Sequence, residues 1–122
     1  MQYQTAAEAR DAGVTYHLVP VEYWETHGGK DSYTPEAFEA DGFIHCTNGV
    51  ERLLWVGNEF YTGDPRPFMV LALDVSRIES PVRYDDPAED FPHIYGPLNT
   101  NAVIGSLTVK RDEDGRFVSF EG

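Results

Sequence analysis

The feature that most constrains the fold is a nearly continuous run of six apolar residues at 68–73, Phe-Met-Val-Leu-Ala-Leu. It follows Thr-Gly-Asp-Pro-Arg-Pro at 62–67, a cluster of residues that break helices and strands. A run of this length without polar alternation is typical of a strand covered on both faces. We therefore predict a central strand at 68–73 with other elements packed on either side of it.

Alternating and helical patterns divide the rest of the chain into short elements. Apolar residues at near-helical spacing predict a main helix from Val50 to Tyr61, and Asp-Glu-Asp-Gly at 112–115 is typical of a hairpin turn. Because a hairpin joins antiparallel strands, we predict an α+β fold with a mixed, mostly antiparallel sheet and short helices. The remaining predicted strands are 14–19, 43–46, 82–84, 102–110 and 116–120, and the remaining predicted helices are 5–10, 21–25 and 35–40, the last capped by Thr34.

The chain length and the loop composition set the expected organisation. A chain of 122 residues has room for one well-packed domain, so we predict a single domain over 1–122. The acidic segment 85–90 is expected to be a solvated, mobile loop. The segment 91–99 is rich in proline, glycine and large apolar residues, so we expect an ordered loop without regular structure, packed on the core.

The segment 41–48, Asp-Gly-Phe-Ile-His-Cys-Thr-Asn, carries the densest set of signals. Asp41 and Gly42 form a turn dipeptide, 43–46 suits a buried strand, and Thr47 or Asn48 can cap the helix that follows. His45 is therefore predicted at the end of a strand that leads into a helix. Side chains converge at such a junction, and free backbone N–H groups there favour an anion.

Three of the four histidines occupy similar settings in the sequence. His17 lies in or near the first strand, His45 at a strand end and His93 in the apolar loop, whereas His27 ends a helix and is discounted. Imidazole offers a donor, an acceptor and a cation near neutral pH, with a reference pKa of about 6.5. We therefore predict a cleft lined by His17, His45 and His93 that binds a small molecule and transfers protons.

Charge and composition exclude several functional classes. A net charge of −12 opposes extended binding to a phosphate backbone, so we predict no general nucleic-acid binding. A small phosphorylated ligand needs only a few local donors, for which the candidates are Arg52, Arg66, Arg77 and Arg83. The first ten residues lack the apolar core of a signal peptide, and no apolar stretch suits a membrane helix, so we expect a cytoplasmic protein without membrane contacts.

A metal site and a reactive thiol are the main alternatives to a ligand-binding cleft. The three histidines with Cys46 or an aspartate would satisfy zinc, but none of the compact ligand spacings is present. Neighbouring strand residues such as His45 and Cys46 point to opposite faces. Cys46 in an apolar strand is expected to be packing rather than a nucleophile.

Two motifs make the sequence resemble a known bacterial family. Gly-Phe-Ile-His-Cys-Thr at 42–47 and Phe-Pro-His-Ile-Tyr-Gly-Pro-Leu at 91–98, with Tyr16–Val19, Trp24, Tyr33 and Pro35, resemble the family named domain of unknown function 952. The resemblance runs from about residue 16 to residue 109. It implies no established activity.

More distantly, the chain is similar to proteins with the ADP-ribosyltransferase fold. That resemblance implies a split, mixed sheet around a cleft that binds NAD, in which His17 bonds ribose hydroxyls and a tyrosine stacks on nicotinamide. The cofactor contacts it suggests are Tyr33, Thr47, Tyr95 and Arg52. ADP-ribosyltransferases also have an acidic residue that stabilises the ribosyl cation. It has no secure counterpart in this chain, where Asp85, Glu89 or His93 could take its place.

Three functional hypotheses follow. The first is an enzyme of the ADP-ribosyl or phosphate transfer type, with His17, His45 and His93 as catalytic residues and NAD as cofactor. The second is a non-catalytic module that binds a small ligand or a partner on the same scaffold. The third is a histidine metal site.

Overall fold

The computed structural model describes residues 2–122. Its helices are α1 (Ala6–Ala12), α2 (Val21–His27), α3 (Phe38–Asp41) and α4 (Val50–Phe60), with 3-10 turns at Val75–Arg77 and Thr100–Ala102. Its strands are β1 (Val14–Pro20), β2 (Ser32–Tyr33), β3 (Ile44–His45), β4 (Phe68–Asp74), β5 (Val82–Tyr84), β6 (Pro92–Ile94), β7 (Leu98–Asn99), β8 (Val103–Arg111) and β9 (Phe117–Glu121). Among these residues no helix has both the length and the apolar character needed to cross a membrane.

The strands form one four-stranded sheet and two smaller ones. The large sheet has the order β1-β4-β8-β9, the second has the order β3-β6-β5, and β2 pairs with β7. Every pairing among residues 2–122 is antiparallel, although the sequence had suggested a mixed sheet. Parallel neighbours need a long crossover that returns the chain in the same direction. In the large sheet the longest connection, from β1 to β4, instead returns the chain beside β1 in the opposite direction.

The predicted central strand is confirmed as β4, which contributes to a core on each face. Phe68 and Val70 pack with α4 and the last strand, while Leu71 and Leu73 pack against the two small sheets. All four side chains are buried. The large sheet therefore separates two apolar layers, one under α4 and one under β3, β6 and β7.

Helix α4 begins at Val50 as predicted, but it has no side-chain cap. Its N-cap is Gly49, with a φ of 84°. The predicted caps, Thr47 and Asn48, do not serve this role. The backbone N–H groups of Val50 and Glu51 instead donate to the carbonyl oxygens of Tyr3 and Gln4. These N–H groups are thus bonded to the N-terminal segment. The prediction that they are free to bind an anion at this helix start is therefore wrong.

Two predicted loops differ from expectation: the acidic segment 85–90 is more ordered, and the segment 91–99 is more regular. Asn48 Nδ2 donates to the Glu89 carbonyl, and Arg10 donates to the carbonyls of Ala88 and Glu89, so these bonds tie the acidic segment to the core. The apolar segment beyond it pairs as β6 and β7 rather than forming an irregular loop. Pro92 is compatible with a strand because it lies at the first residue of β6.

Helix α3 is also shorter than the predicted helix at 35–40. It begins at Phe38, with Ala37 at the N-cap and no side-chain cap, so the predicted cap at Thr34 is wrong. The preceding residues form a turn in which Tyr23 donates to the Thr34 carbonyl at 2.8 Å. This tertiary contact draws the chain towards α2 instead of into a longer helix.

His17 joins the large sheet to β3. Its Nδ1 lies 2.8 Å from the carbonyl oxygen of His45, and its Nε2 lies 2.9 Å from the hydroxyl of Tyr33. A carbonyl can only accept, so Nδ1 carries the proton and Nε2 accepts from Tyr33. A second link is the bridge between Tyr16 and Thr47, whose backbone groups exchange bonds of 2.9 and 2.8 Å.

We expect the substitution Gly57→Ala to destabilise the protein by about 1–3 kcal/mol, as overpacking of a core does. A Cβ at Gly57 would lie 2.5 Å from the ring of Phe117, so α4 could not keep its distance from β9. Urea denaturation measures the change. Gly105→Ala is the matched control because a Cβ there meets nothing within 4 Å. Equal or increased stability of Gly57→Ala would contradict this packing of α4.

We also expect stability to fall on mild acidification because of His17. Burial lowers the pKa of His17 to about 4, although the bond to the His45 backbone opposes this. The unfolded state takes up the proton at the ordinary pKa of about 6.5. The free energy of unfolding therefore falls by about 2 kcal/mol between pH 7 and pH 5. Denaturant titrations of the wild type and His17→Gln at both pH values measure the loss. The loss should shrink in His17→Gln and persist in His27→Gln, and equal losses in all three would contradict a neutral, buried His17.

Candidate functional site

A groove of about 590 Å³ lies between the C-terminal half of α4 and the β3–β6 pair. One side carries His45, His93 and two carboxylates, Asp85 and Asp86. The other side is mainly apolar, and three of its four aromatic residues are called here the aromatic wall: Trp55, Phe60 and Phe91. The groove thus has polar, titratable groups on one side and exposed aromatic rings on the other.

His45 stands on the open side of β3 and is oriented by Asp41. Its side chain is 55% exposed, in contrast to the fully buried strand predicted at 43–46. Nε2 of His45 lies 2.9 Å from Oδ2 of Asp41. The geometry depends on Gly42, whose φ of 79° reverses the chain between α3 and β3 and returns Asp41 to the His45 side chain.

His93 lies opposite His45 in the β3–β6 register and is oriented by its own carboxylate. Its Nδ1 is 2.8 Å from Oδ2 of Asp85, the same oxygen that accepts a short hydrogen bond from the Tyr95 hydroxyl. Tyr95 and His93 together hold the pKa of Asp85 below its usual range. Asp85 is therefore an ionised acceptor, and Tyr95 supports it.

The two imidazoles present their remaining nitrogens as acceptors when they are neutral. A carboxylate accepts only, so the proton of each neutral ring lies on the nitrogen that faces the aspartate. The lone pairs then lie on Nδ1 of His45 and Nε2 of His93. The ring centres are 5.6 Å apart, which places both rings within reach of one small molecule.

Phe43 holds the two histidines in place. Its ring stacks on His93 at 4.0 Å with an interplanar angle of 19°, and it contacts His45 at 4.6 Å. Rings packed in this way have few alternative rotamers, so the pair is rigid before any ligand arrives.

His17 belongs to a deeper layer than the other two histidines. It borders an inner cavity of about 170 Å³, which also has His45 and Tyr33 in its lining. Both nitrogens of His17 are already bonded within the chain, so a ribose hydroxyl would have to displace the Tyr33 hydroxyl. Within the structure His17 is thus a residue that positions the backbone of His45.

The structure brings together some of the predicted cofactor contacts and separates others. Thr47 borders both the groove and the inner cavity, and Tyr95 bonds Asp85 behind His93. Tyr33 is buried and packs edge-to-face with Trp24. Only the edge of its ring and its hydroxyl are available for contacts. Arg52 lies outside the groove, where it contacts Asp90 at 3.3 Å.

The two chemical alternatives receive no support from the geometry. Within residues 2–122, no set of three or more histidine, cysteine or acidic side chains is arranged to hold a metal ion. Cys46 is buried in the core cluster that includes Ile44, and burial raises the pKa of its thiol well above the usual range. Cys46 therefore acts as packing, as the sequence predicted.

Sequence reasoning missed Asp41 and the aromatic wall. Asp41 had been interpreted only as a turn residue, although it lies four residues before His45, a spacing that can hold both side chains on one side of a tight turn. Trp55 and Phe60 fell within the apolar pattern of α4, which gave no sign that they stay exposed. Of the acidic candidates, Asp85 reaches the groove, whereas Glu89 is not part of its lining.

Solved structures show the same fold. A crystal structure of protein CC0527 from Caulobacter crescentus has 20% identity, covers 86% of this chain and 93% of that chain, and superposes with a TM-score of 0.72. The crystal structure of its double mutant has a TM-score of 0.71. A solution NMR structure of CC0527 has 21% identity, covers 84% of this chain and 90% of that chain, and has a TM-score of 0.66. At this identity the likeness shows the fold alone.

The family comparison agrees with the motifs found in the sequence. No curated protein matches the chain. A family model described as "Protein of unknown function (DUF952)" matches residues 18–106, which include β3, β6 and both histidines of the groove. The chain therefore belongs to the DUF952 family of proteins of unknown function.

Proposed function

We propose that the groove binds a small molecule with a planar ring and hydroxyl groups, and that His45 and His93 exchange protons with it. The observation that carries the proposal is the placement of these two histidines opposite each other, each oriented by its own aspartate. A ring on the aromatic wall would leave its hydroxyl groups beside the two acceptor nitrogens. NAD and related ADP-ribosyl compounds are the first ligand class to test, as the distant resemblance to ADP-ribosyltransferases suggests.

The enzymatic version of this proposal is transfer of an ADP-ribosyl group. The C1′–N bond to nicotinamide breaks and its electron pair leaves with the nicotinamide. A hydroxyl oxygen of water or of an acceptor forms the new bond at C1′, and its proton passes to a histidine. The ionised Asp85 supplies the negative charge that stabilises the oxocarbenium-like transition state.

A specific observation favours the second candidate, a module that binds without turnover. Asp41 is bonded to His45, Asp85 is bonded to His93 and Tyr95, and Asp86 accepts from the backbone N–H groups of Asp90 and Phe91. Each carboxylate near the two rings thus has a partner already. Binding without nicotinamide release is the outcome that this alternative predicts.

We expect calorimetric titration with NAD and ADP-ribose to detect binding that depends on the two histidines. Loss of one hydrogen bond in His45→Ala or His93→Ala should weaken binding by roughly five- to tenfold. If turnover occurs, nicotinamide release should fall by about 10²- to 10⁴-fold, as expected for loss of a general acid or base. His27→Ala is the matched control, since His27 lies on α2 outside the groove.

The outcomes separate the two candidates. No heat of binding at millimolar ligand, with the protein folded by circular dichroism, would exclude the ADP-ribosyl class. Binding without nicotinamide release would leave the binding module as the function. Equal effects of His27→Ala and His93→Ala would remove the groove from the proposal.

A further inference from the structure

We infer that the preferred ligand of this groove is a small organic cation with a flat ring and N–H or O–H donors, and not an anion. The inference rests on the proposed function because it concerns the same small-molecule groove. Within that groove it ranks organic cations above the ADP-ribosyl compounds, whose diphosphate is negatively charged. Three features support it: the exposed rings, the sign of the lining charges and the direction of the free hydrogen bonds.

The aromatic wall contains two exposed rings, those of Trp55 and Phe60, packed edge-to-face. Trp55 is 45% exposed and Phe60 is 67% exposed, values that are unusual for large aromatic residues beside a cavity. The planes of these two rings meet at 88°, with 5.9 Å between their centres. The face of an aromatic ring carries partial negative charge, so a corner of this kind attracts a cation.

A cation already sits on the outer side of the same wall. The guanidinium of Arg52 lies 5.1 Å from the ring centre of Trp55 and 5.8 Å from that of Phe91. Its charge is matched by Asp90 at 3.3 Å. The molecule therefore uses these rings together with a carboxylate to hold one cation, and the groove side repeats the pattern with Asp85 and Asp86.

The charges around the groove and the adjoining inner cavity are predominantly negative. Four carboxylates line the two cavities, Asp85 and Asp86 in the groove and Glu36 and Asp41 in the inner cavity. Among the described lining residues the one lysine or arginine is Arg66. It is held by Glu36 at 3.0 Å and Asp64 at 2.8 Å, so its charge is already matched.

The ring nitrogens that the two histidines leave free are acceptors when the rings are neutral, and the hydroxyls of Thr47 and Tyr61 in the lining can accept as well as donate. When neutral, His45 and His93 direct their N–H groups to Asp41 and Asp85 and present lone pairs to the groove. A diphosphate offers acceptors and negative charge, and both are mismatched to this lining. A cation with N–H or O–H donors complements the charge and the lone pairs together.

We expect a cation to bind more tightly than neutral or anionic molecules of the same shape. Benzamidinium, benzamide and benzoate form a suitable set because they share a flat ring and differ in charge. A ¹H–¹⁵N NMR titration would follow the indole N–H of Trp55, with Trp24, which lies outside the groove, as the internal control. Benzamidinium should bind roughly three- to thirtyfold more tightly than benzamide, as expected for added cation–π attraction, and benzoate should bind most weakly.

Two variants with the same loss of charge test the source of the preference. Asp85→Asn should reduce the preference for benzamidinium over benzamide, whereas Glu113→Gln, in the remote hairpin turn, should leave it unchanged. Trp55→Leu, followed through the backbone amides of β3 and β6, should weaken benzamidinium binding.

Benzamide or benzoate binding as tightly as benzamidinium would overturn the cation preference while leaving a small-molecule groove in place. Equal effects of Asp85→Asn and Glu113→Gln would also overturn it. Failure of benzamidinium, NAD and ADP-ribose alike to shift Trp55 would remove the proposed function as well.

Discussion

The hydrogen bonds of one buried imidazole hold the large sheet and the two smaller sheets together. His17 accepts from Tyr33 and donates to the carbonyl of His45, so β1, β2 and β3 meet at a single ring. The ring is neutral because burial lowers its pKa to about 4 and its two partners are a carbonyl and a hydroxyl. The position of β3, and with it the position of His45, therefore depends on a residue that does not itself face the groove.

The three candidate histidines have different roles because their partners differ. Both nitrogens of His17 are bonded within the chain, whereas His45 and His93 each bond an aspartate through one nitrogen only. The difference arises from what each ring faces. Backbone and tyrosine groups hold His17 on both sides, but aspartates hold His45 and His93 on one side and leave the groove on the other.

The acidic character of the chain also takes on a local meaning. Asp41 and Asp85 orient the imidazoles of His45 and His93 through hydrogen bonds, and Asp86 caps the turn that leads into β6. Among the described residues that line the inner cavity, the one arginine is Arg66, which is already paired. The negative charge that led us to predict no general nucleic-acid binding thus supports, at this site, the inferred preference for a cation.

Local patterns were sufficient where a single segment decides its own state. The apolar run of β4, the hairpin before β9 and the helical spacing of α4 were all predicted, because each reflects burial or turn geometry along a few residues. The family resemblance depended on short motifs and was likewise readable from the sequence. Helix caps were less predictable: the first N–H groups of α4 donate to Tyr3 and Gln4, which are distant in sequence, and not to Thr47 or Asn48.

The sequence by itself determined which residues could form a site, His17, His45 and His93, and the apolar strand around which they are arranged. Only the tertiary structure decided that His45 and His93 face one groove while His17 lies behind them. It also decided that Asp41 orients His45 and that Trp55 lines the groove. The physical reason is that strand register and exposure are set by contacts between segments, such as the pairing of His45 with His93, which no local pattern contains.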